Sequence, residues 1–99
     1  MKPKVRVIIL NWNQADLTID CIKSVKAMDY SNYDILVIDN ASTDRSVEKI
    51  KQIFNGIEIL SLERNYKFAG AYNMAFKQVE FKDDYFLLLN KHYLSSLFC

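Results

Sequence analysis

The chain has 99 residues, of which 51% are hydrophobic and 25% charged, and its formal net charge at pH 7 is +1. This size and composition predict one compact globular domain and exclude a disordered or fibrous chain. The near-neutral charge gives no electrostatic reason to expect nucleic acid or an anionic membrane as the main partner. Any recognition of phosphate must therefore be local.

The cysteines and the amino-terminal segment indicate the cellular compartment. Cys21 and Cys99 lie far apart and have neither metal-ligand spacing nor the density of a secreted disulfide scaffold. The apolar run Val5–Leu10 is too short for a signal peptide or a membrane span. These features predict a cytoplasmic protein.

The first two elements are a strand and a helix. Residues Val5–Leu10 form a nearly continuous apolar run, which is typical of a strand covered on both faces. Apolar residues then recur at helical spacing over 17–28, with Asn13 or Asp16 available to cap the start of the helix.

The remaining elements continue the alternation. They are a strand over 33–39, a helix over 47–54 that ends at Asn55-Gly56, a strand over 57–62, a helix through Tyr72 and Val79, and a strand over 85–89. Parallel strands need crossover connections, so this βαβαβαβ order predicts an α/β fold with three Rossmann-like layers and a mostly parallel four-stranded sheet. We expect residues 1–90 to form this unit and the tail, residues 91–99, to diverge from it.

Polar clusters follow the first three strands, at 11–13, 39–44 and 64–65. Ligands of parallel sheets bind outside the carboxyl ends of the strands, so the clusters should converge on one cleft. The chain has only two glycines, Gly56 and Gly70. Neither a G-x-G-x-x-G loop nor a P-loop can be built from them, which disfavours classical dinucleotide, methyl-donor and P-loop sites.

Two interpretations of Asp39 remain open. A carboxylate at a strand end can accept hydrogen bonds from a base or a ribose, with Trp12 as a neighbouring aromatic group. An Asp followed by Asn-Ala-Ser-Thr-Asp is equally good turn and helix-capping chemistry that needs no ligand. For Asp44, a place in the first helical turn is favoured over a role as a ligand.

Three segments carry a family resemblance. They are Val-Ile-Ile-Leu-Asn-Trp-Asn at 7–13, Val-Ile-Asp-Asn-Ala-Ser-Thr-Asp at 37–44 and Arg-Asn-Tyr-Lys-Phe-Ala-Gly-Ala-Tyr-Asn at 64–73. In this order they resemble the signature of inverting glycosyltransferases of the GT-A fold, family 2 type, especially rhamnosyltransferase-like members. The likeness runs from about Val5 to Asn90, and Lys67 stands where the family prefers glycine.

The resemblance implies a site for a nucleotide-sugar donor such as a UDP- or dTDP-sugar. Residues Asn11, Trp12, Asn13 and Asp39 would hold the base and ribose. The segment from Asn65 through Gly70 to Asn73 would shape the diphosphate side. In a complete enzyme, the sugar would pass to an acceptor hydroxyl with inversion.

In the family the fourth strand runs into an Asp-containing motif that binds Mg or Mn. Here Leu-Leu-Leu-Asn at 87–90 matches and Lys91-His92 does not, so the carboxylate ligand is lost. Asn90 only adjoins the expected metal motif, and we expect no metal in this chain. The acceptor-binding half with its general base would follow this point.

These observations predict a truncated, inactive glycosyltransferase, with a frameshift or an early stop as one origin. The alternative is a non-catalytic nucleotide-binding or protein-interaction module. The resemblance also allows peripheral association of the intact enzyme with the inner face of the membrane. An exposed sheet edge could in addition drive self-association.

Overall fold

The computed structural model describes residues 3–90. Its elements are β1 (Val5–Asn11), α1 (Ala15–Lys26), β2 (Tyr33–Asp39), α2 (Ser46–Ile53), β3 (Glu58–Ser61), α3 (Lys67–Gln78) and β4 (Tyr85–Asn90). The predicted order βαβαβαβ is confirmed. None of the helices within residues 3–90 has the length and apolar character needed to cross a membrane.

The four strands form one parallel sheet in the order β3-β2-β1-β4. The register places Asn11 beside Asp39, and Asp39 beside Ser61. On the other side of β1, Leu10 lies beside Asn90. Since the strands are parallel and in step, their carboxyl ends lie at one edge of the sheet.

Helices cover both faces of the sheet, which gives the three predicted layers. Along β1, Val7 and Ile9 pack toward α1 and α2, while Ile8 and Leu10 pack toward α3. This alternation follows from the two-residue period of a strand. The buried contacts of α3 come mainly from Ala71, Tyr72 and Ala75. The packing of apolar side chains on both faces holds the strands in position, and with them the loops that follow the strand ends.

The third strand is shorter than expected. The third strand covers Glu58–Ser61 rather than 57–62. Ile57 belongs to the preceding turn, where its N–H donates to the carbonyl of Phe54 at 3.2 Å. Gly56 enters this turn with a φ of 85°, a conformation that glycine adopts without a steric cost.

The expected cap of α1 is wrong. The helix begins at Ala15 after Gln14, and no side chain caps its first turn. The carboxamide of Asn13 instead accepts a hydrogen bond from the backbone N–H of Thr43 at 2.7 Å. The Asn13 side chain therefore bonds to the loop after β2 instead of capping α1.

Tyr72 links α3 to β4, because its buried hydroxyl donates to the carbonyl of Leu89 at 3.1 Å. Burial raises the pKa of Tyr72 to about 12, above the ordinary value of 10.0. The folded chain thus keeps a proton that the unfolded chain releases above pH 10. We expect stability from this group to be complete below pH 10 and to fall by about 2 kcal/mol between about pH 10 and pH 12.

Urea unfolding at several alkaline pH values, compared between the wild-type chain and Tyr72→Phe, measures this contribution. The variant should be less stable at neutral pH by about 1 kcal/mol, the typical value of one hydrogen bond. The difference between the two proteins should then narrow or reverse above pH 10. A constant difference across this range would contradict the assignment.

Candidate functional site

The three strand-end loops meet, as expected. Asn11 at the end of β1 is fully buried, and its Nδ2 donates to Asp39 Oδ1 at 2.9 Å and to Ser42 Oγ at 3.2 Å. Its Oδ1 accepts from the hydroxyl of Thr18 on α1 at 2.6 Å. One carboxamide therefore connects the first loop, the second loop and the first helix.

Asp39 at the end of β2 is only 3% exposed. Besides the bond from Asn11, its carboxylate accepts from the backbone N–H of Ser42 at 3.0 Å and from the Ser42 hydroxyl at 2.6 Å. Asp39 thus stabilises the turn that follows β2, which is one of the two roles considered from sequence. The role of Asp39 toward a nucleoside stays a prediction.

Asn13 fastens the first loop to the second. Its backbone N–H donates to Ser42 Oγ at 2.9 Å, and its Oδ1 accepts from the backbone N–H of Thr43. Ser42 is therefore shared by Asn11, Asn13 and Asp39. The residue gives the first two loops a common anchor.

Asn40 joins the second loop to the third, and the sequence placed it in the polar cluster at 39–44 without giving it a role of its own. The residue is 3% exposed, and its Nδ2 donates to Asn65 Oδ1 at 2.9 Å and to the carbonyl of Lys67 at 3.2 Å. Its Oδ1 accepts from the backbone N–H of Tyr66 at 2.9 Å. The only signal in the sequence is the position of Asn40 directly after a buried strand, with another carboxamide, Asn65, after the next.

Asp44 serves the start of α2. Its carboxylate accepts from the backbone N–H of Ser46 at 3.0 Å and from the Ser46 hydroxyl. The hydroxyl bond, followed by the backbone bonds, holds the pKa of Asp44 below its ordinary value. Asp44 therefore lies two residues before α2 rather than in the predicted first turn, where the acidic residue is Glu48. Its contacts are structural, and the preference for this role over that of a ligand stays a prediction.

The side of the cleft that the resemblance assigns to the diphosphate lies on α3. Asn65 Oδ1 also accepts from the backbone N–H of Lys67 at 2.7 Å, just before the helix. A Cβ atom at Gly70 would approach the Cβ of Tyr66 to 3.0 Å, so this turn packs closely against the third loop. Asn73 is exposed one turn further along the helix.

Trp12 lies just past β1 and is 46% exposed. It offers an aromatic surface beside a buried polar network. A cavity of about 310 Å³ adjoins this first loop and reaches Asp44 and Lys49. A larger cavity of about 650 Å³ is lined by residues near the opposite ends of the strands, including Tyr33 and Glu58. None of the site residues predicted from sequence lines this cavity.

All the left-handed residues other than glycine within the described part of the chain lie in the loops of the cleft or at the first residue of α3. These are Asn13 (φ 51°), Ala41 (φ 64°), Arg45 (φ 66°) and Lys67 (φ 62°). Such conformations are strained for residues with a Cβ and concentrate at functional sites. The positive φ at Lys67 gives a physical reason for the glycine that the resemblance leads us to expect at this position. The hydrogen bonds between the loops hold these conformations in place.

The Asp39 carboxylate is buried and already accepts three hydrogen bonds. Residues 3–90 contain no group of three or more His, Cys, Asp or Glu side chains that could hold a metal ion. The metal motif of the resemblance falls on Asn90 and on Lys91-His92, and the latter two lie outside the described residues. The expected absence of Mg or Mn from this chain stays a prediction.

Together, fold and site define an α/β protein with a polar cleft at the carboxyl ends of a parallel sheet and without a glycine-rich phosphate loop. Residues 6–96 match glycosyl transferase family 2, and the chain belongs to this family. The match extends into the segment 91–99, so the predicted division of the chain at residue 90 stays a prediction.

Similar proteins include the teichoic acid poly(glycerol phosphate) polymerase of Staphylococcus epidermidis. It is 28% identical over 91 residues, which cover 88% of this chain and 12% of the polymerase. S. aureus TarS 1–349, solved in complex with UDP-GlcNAc, has a TM-score of 0.71 at 23% identity, over 89% of this chain and 26% of that one.

The mannosyltransferase PcManGT from Pyrobaculum calidifontis, solved with GDP-Man and Mn²⁺, has a TM-score of 0.64 at 23% identity. The match covers 81% of this chain and 25% of that one. These structural likenesses confirm the GT-A, Rossmann-like fold. The chain spans about an eighth of the polymerase and about a quarter of each solved chain.

Proposed function

We propose that this chain is the donor-binding part of a family 2 glycosyltransferase and binds the nucleoside diphosphate portion of a UDP- or dTDP-sugar. The observation that carries the proposal is the hydrogen-bonded meeting of the three strand-end loops around Asn11, Asn40 and Ser42. Complexes of similar folds with UDP-GlcNAc and GDP-Man support a nucleotide-sugar as the ligand class.

Each side of the cleft has its own role in this proposal. Trp12 stacks on the base, while Asn11, Asn13 and Asp39 fix the loop shape that the nucleoside meets. Asn65, Gly70 and Asn73 line the diphosphate side, where Gly70 packs closely against Tyr66. A rhamnosyltransferase-like donor preference belongs to the same proposal and would favour a dTDP-sugar.

The same proposal holds that the chain binds a donor without transferring its sugar. A general base must reach the proton that it removes. Asp39 is buried and bonded to Asn11 and Ser42, which leaves it no open access to an acceptor hydroxyl. The complete enzyme would work in the cytoplasm, associated peripherally with the inner face of the membrane.

Trp12 provides a direct binding assay, because it is the only tryptophan in the sequence. We expect uridine or thymidine diphosphate to change its fluorescence with saturation in the millimolar range or below. Trp12→Ala should weaken binding by about tenfold in calorimetry, since one base stacked on an aromatic side chain contributes roughly 1–3 kcal/mol. The control is Ile53→Ala, a comparably exposed apolar residue on α2.

Uridine, uridine monophosphate and uridine diphosphate separate the two sides of the cleft. Asn73→Ala should weaken binding of the diphosphate and leave uridine unaffected. An absence of binding for all three ligands at millimolar concentration would contradict the proposal. Measurable sugar transfer by the 99-residue chain would refute the claim that it does not catalyse transfer, but not the claim that it binds the donor. Nucleotide binding without sugar transfer would support a non-catalytic binding module.

A further inference from the structure

Asn40 follows the end of β2, and the neighbouring strand holds its backbone. Its backbone N–H donates to the carbonyl of Asn11 at 2.9 Å, which extends the pairing of β1 with β2 by one bond. The residue is 3% exposed. The Asn40 side chain therefore projects from a buried position fixed by the sheet, and not from a free loop.

Three hydrogen bonds of the Asn40 side chain lead to the segment 65–67, at the start of α3. Its Oδ1 accepts from the backbone N–H of Tyr66 at 2.9 Å, and its Nδ2 donates to the backbone carbonyl of Lys67 at 3.2 Å. The same Nδ2 donates to Asn65 Oδ1 at 2.9 Å. Both donor hydrogens and one acceptor site of the carboxamide are thus used. A side chain that lacks either the donor or the acceptor could not make this set of bonds.

These bonds act on the backbone of Lys67. Its φ of 62° lies in the left-handed region, which is disfavoured for residues with a Cβ. Its backbone N–H donates to Asn65 Oδ1 at 2.7 Å, and its carbonyl accepts from Asn40. Asn65 is exposed, whereas Asn40 is anchored at the sheet and also bonds to Asn65. Asn40 is therefore the fixed point that holds this turn.

We propose that Asn40 is a positioning residue for the diphosphate side of the cleft. It fixes the left-handed turn at Lys67 and, through it, the first turns of α3, which carry Gly70 and Asn73. It does not itself contact the nucleotide. The inference rests on the proposed function, because that function places the diphosphate beside α3. Binding groups lose affinity when the residues that support them are lost, since small displacements change their geometry toward the ligand.

The nucleoside side of the cleft is held by a separate set of bonds. Ser42 bonds to Asn11, Asn13 and Asp39, and none of these bonds involves the side chain of Asn40. Loss of the Asn40 carboxamide should therefore weaken recognition of a diphosphate and spare recognition of a nucleoside. This selectivity distinguishes positioning from a general loss of stability, which would weaken the binding of both ligands.

Calorimetry with uridine and uridine diphosphate on the full chain tests the selectivity. Asn40→Ala should raise the dissociation constant for uridine diphosphate by about tenfold and change that for uridine by less than about twofold. The matched control is Ser46→Ala, which also removes a buried hydrogen-bonding side chain, at the start of α2. It should leave both constants unchanged. Equal weakening of the two ligands by Asn40→Ala, or equal effects of the two variants, would overturn the inference.

Lys67→Gly should remove the need for the Asn40 side chain. Glycine adopts a positive φ without a steric cost, so the turn would form without being held. With Lys67→Gly as the reference protein, Asn40→Ala should raise the dissociation constant for uridine diphosphate by about threefold or less. The charge of Lys67 is absent from both proteins in this comparison, so its own effect on the ligand cancels. An undiminished loss in the glycine background would mean that Asn40 does not act through this turn.

Amide hydrogen exchange in the unliganded chain separates this inference from the proposed function. The backbone N–H groups of Tyr66 and Lys67 should exchange slowly in the wild-type chain and at least about tenfold faster in Asn40→Ala, while those of β2 keep their rates. The wild-type chain also gives a test that needs no variant, because uridine diphosphate should slow exchange at these two amides and uridine should not.

The outcomes of the exchange experiment differ for the two proposals. Fast exchange at Tyr66 and Lys67 in the wild-type chain would overturn the inference even if the nucleotide binds. Slow exchange without binding of any nucleotide would contradict the proposed function, and with it the assignment of Asn40 to a diphosphate.

Discussion

Replacing Asn11 with leucine is expected to lower the free energy of unfolding by about 3 kcal/mol. The size of the side chain is preserved, so the loss comes from polar groups rather than from a cavity. The Thr18 hydroxyl loses its acceptor, and the Asp39 carboxylate loses one of its three donors while keeping the two from Ser42. A buried polar group without a partner costs about 1–3 kcal/mol, and more when it is charged. Urea unfolding followed by far-ultraviolet circular dichroism measures the change.

The control for this prediction is Asn73→Leu, because Asn73 is exposed on α3. Its stability should stay within about 0.5 kcal/mol of the wild-type value, as is usual for surface substitutions. If Asn11→Leu lowered the free energy of unfolding no more than Asn73→Leu does, the polar network at the strand ends would not stabilise the fold.

Ile22→Ala should destabilise the fold more than Asn11→Leu does, lowering the free energy of unfolding by about 4 kcal/mol. Ile22 on α1 is fully buried and belongs to the cluster between the helices and β1. Removing three carbon atoms there loses the transfer free energy of the side chain and leaves a cavity that the sheet cannot fill. Chemical denaturation should show a lower midpoint with an unchanged slope.

Leu17→Ala on the same helix is the matched control. Leu17 is 51% exposed, so its truncation should cost well under half as much as that of Ile22. An equal cost for both variants would mean that α1 does not pack as the structure shows. The pair also tests the orientation of the helix that carries Thr18 into the cleft.

The fold could be predicted from sequence because its main signals are local. Strands buried on both faces show as apolar runs at Val5–Leu10 and 33–39, and the helices between them show their own period. The cleft could be predicted in outline, since the strand-end rule needs only the order of elements. The position of the polar clusters then follows from topology alone.

The contacts within the cleft could not be predicted in the same way. Asn13 fits a helix cap by its local sequence, yet it bonds to Thr43 in another loop. Asn40 fits a turn, yet it bonds to Asn65 and Tyr66. These partners are about 25–30 residues away, so short-range propensities do not encode the choice between local and distant bonds.

The left-handed residues of the loops have a consequence for how the native state opens. Each such conformation costs roughly 1–2 kcal/mol for a residue with a side chain, and four of them lie in three neighbouring loops. That sum is comparable to the net stability of a small domain. A few ruptured side-chain bonds at this end would thus let the backbone relax while the sheet persists. Partial opening would begin around the cleft, well before global unfolding.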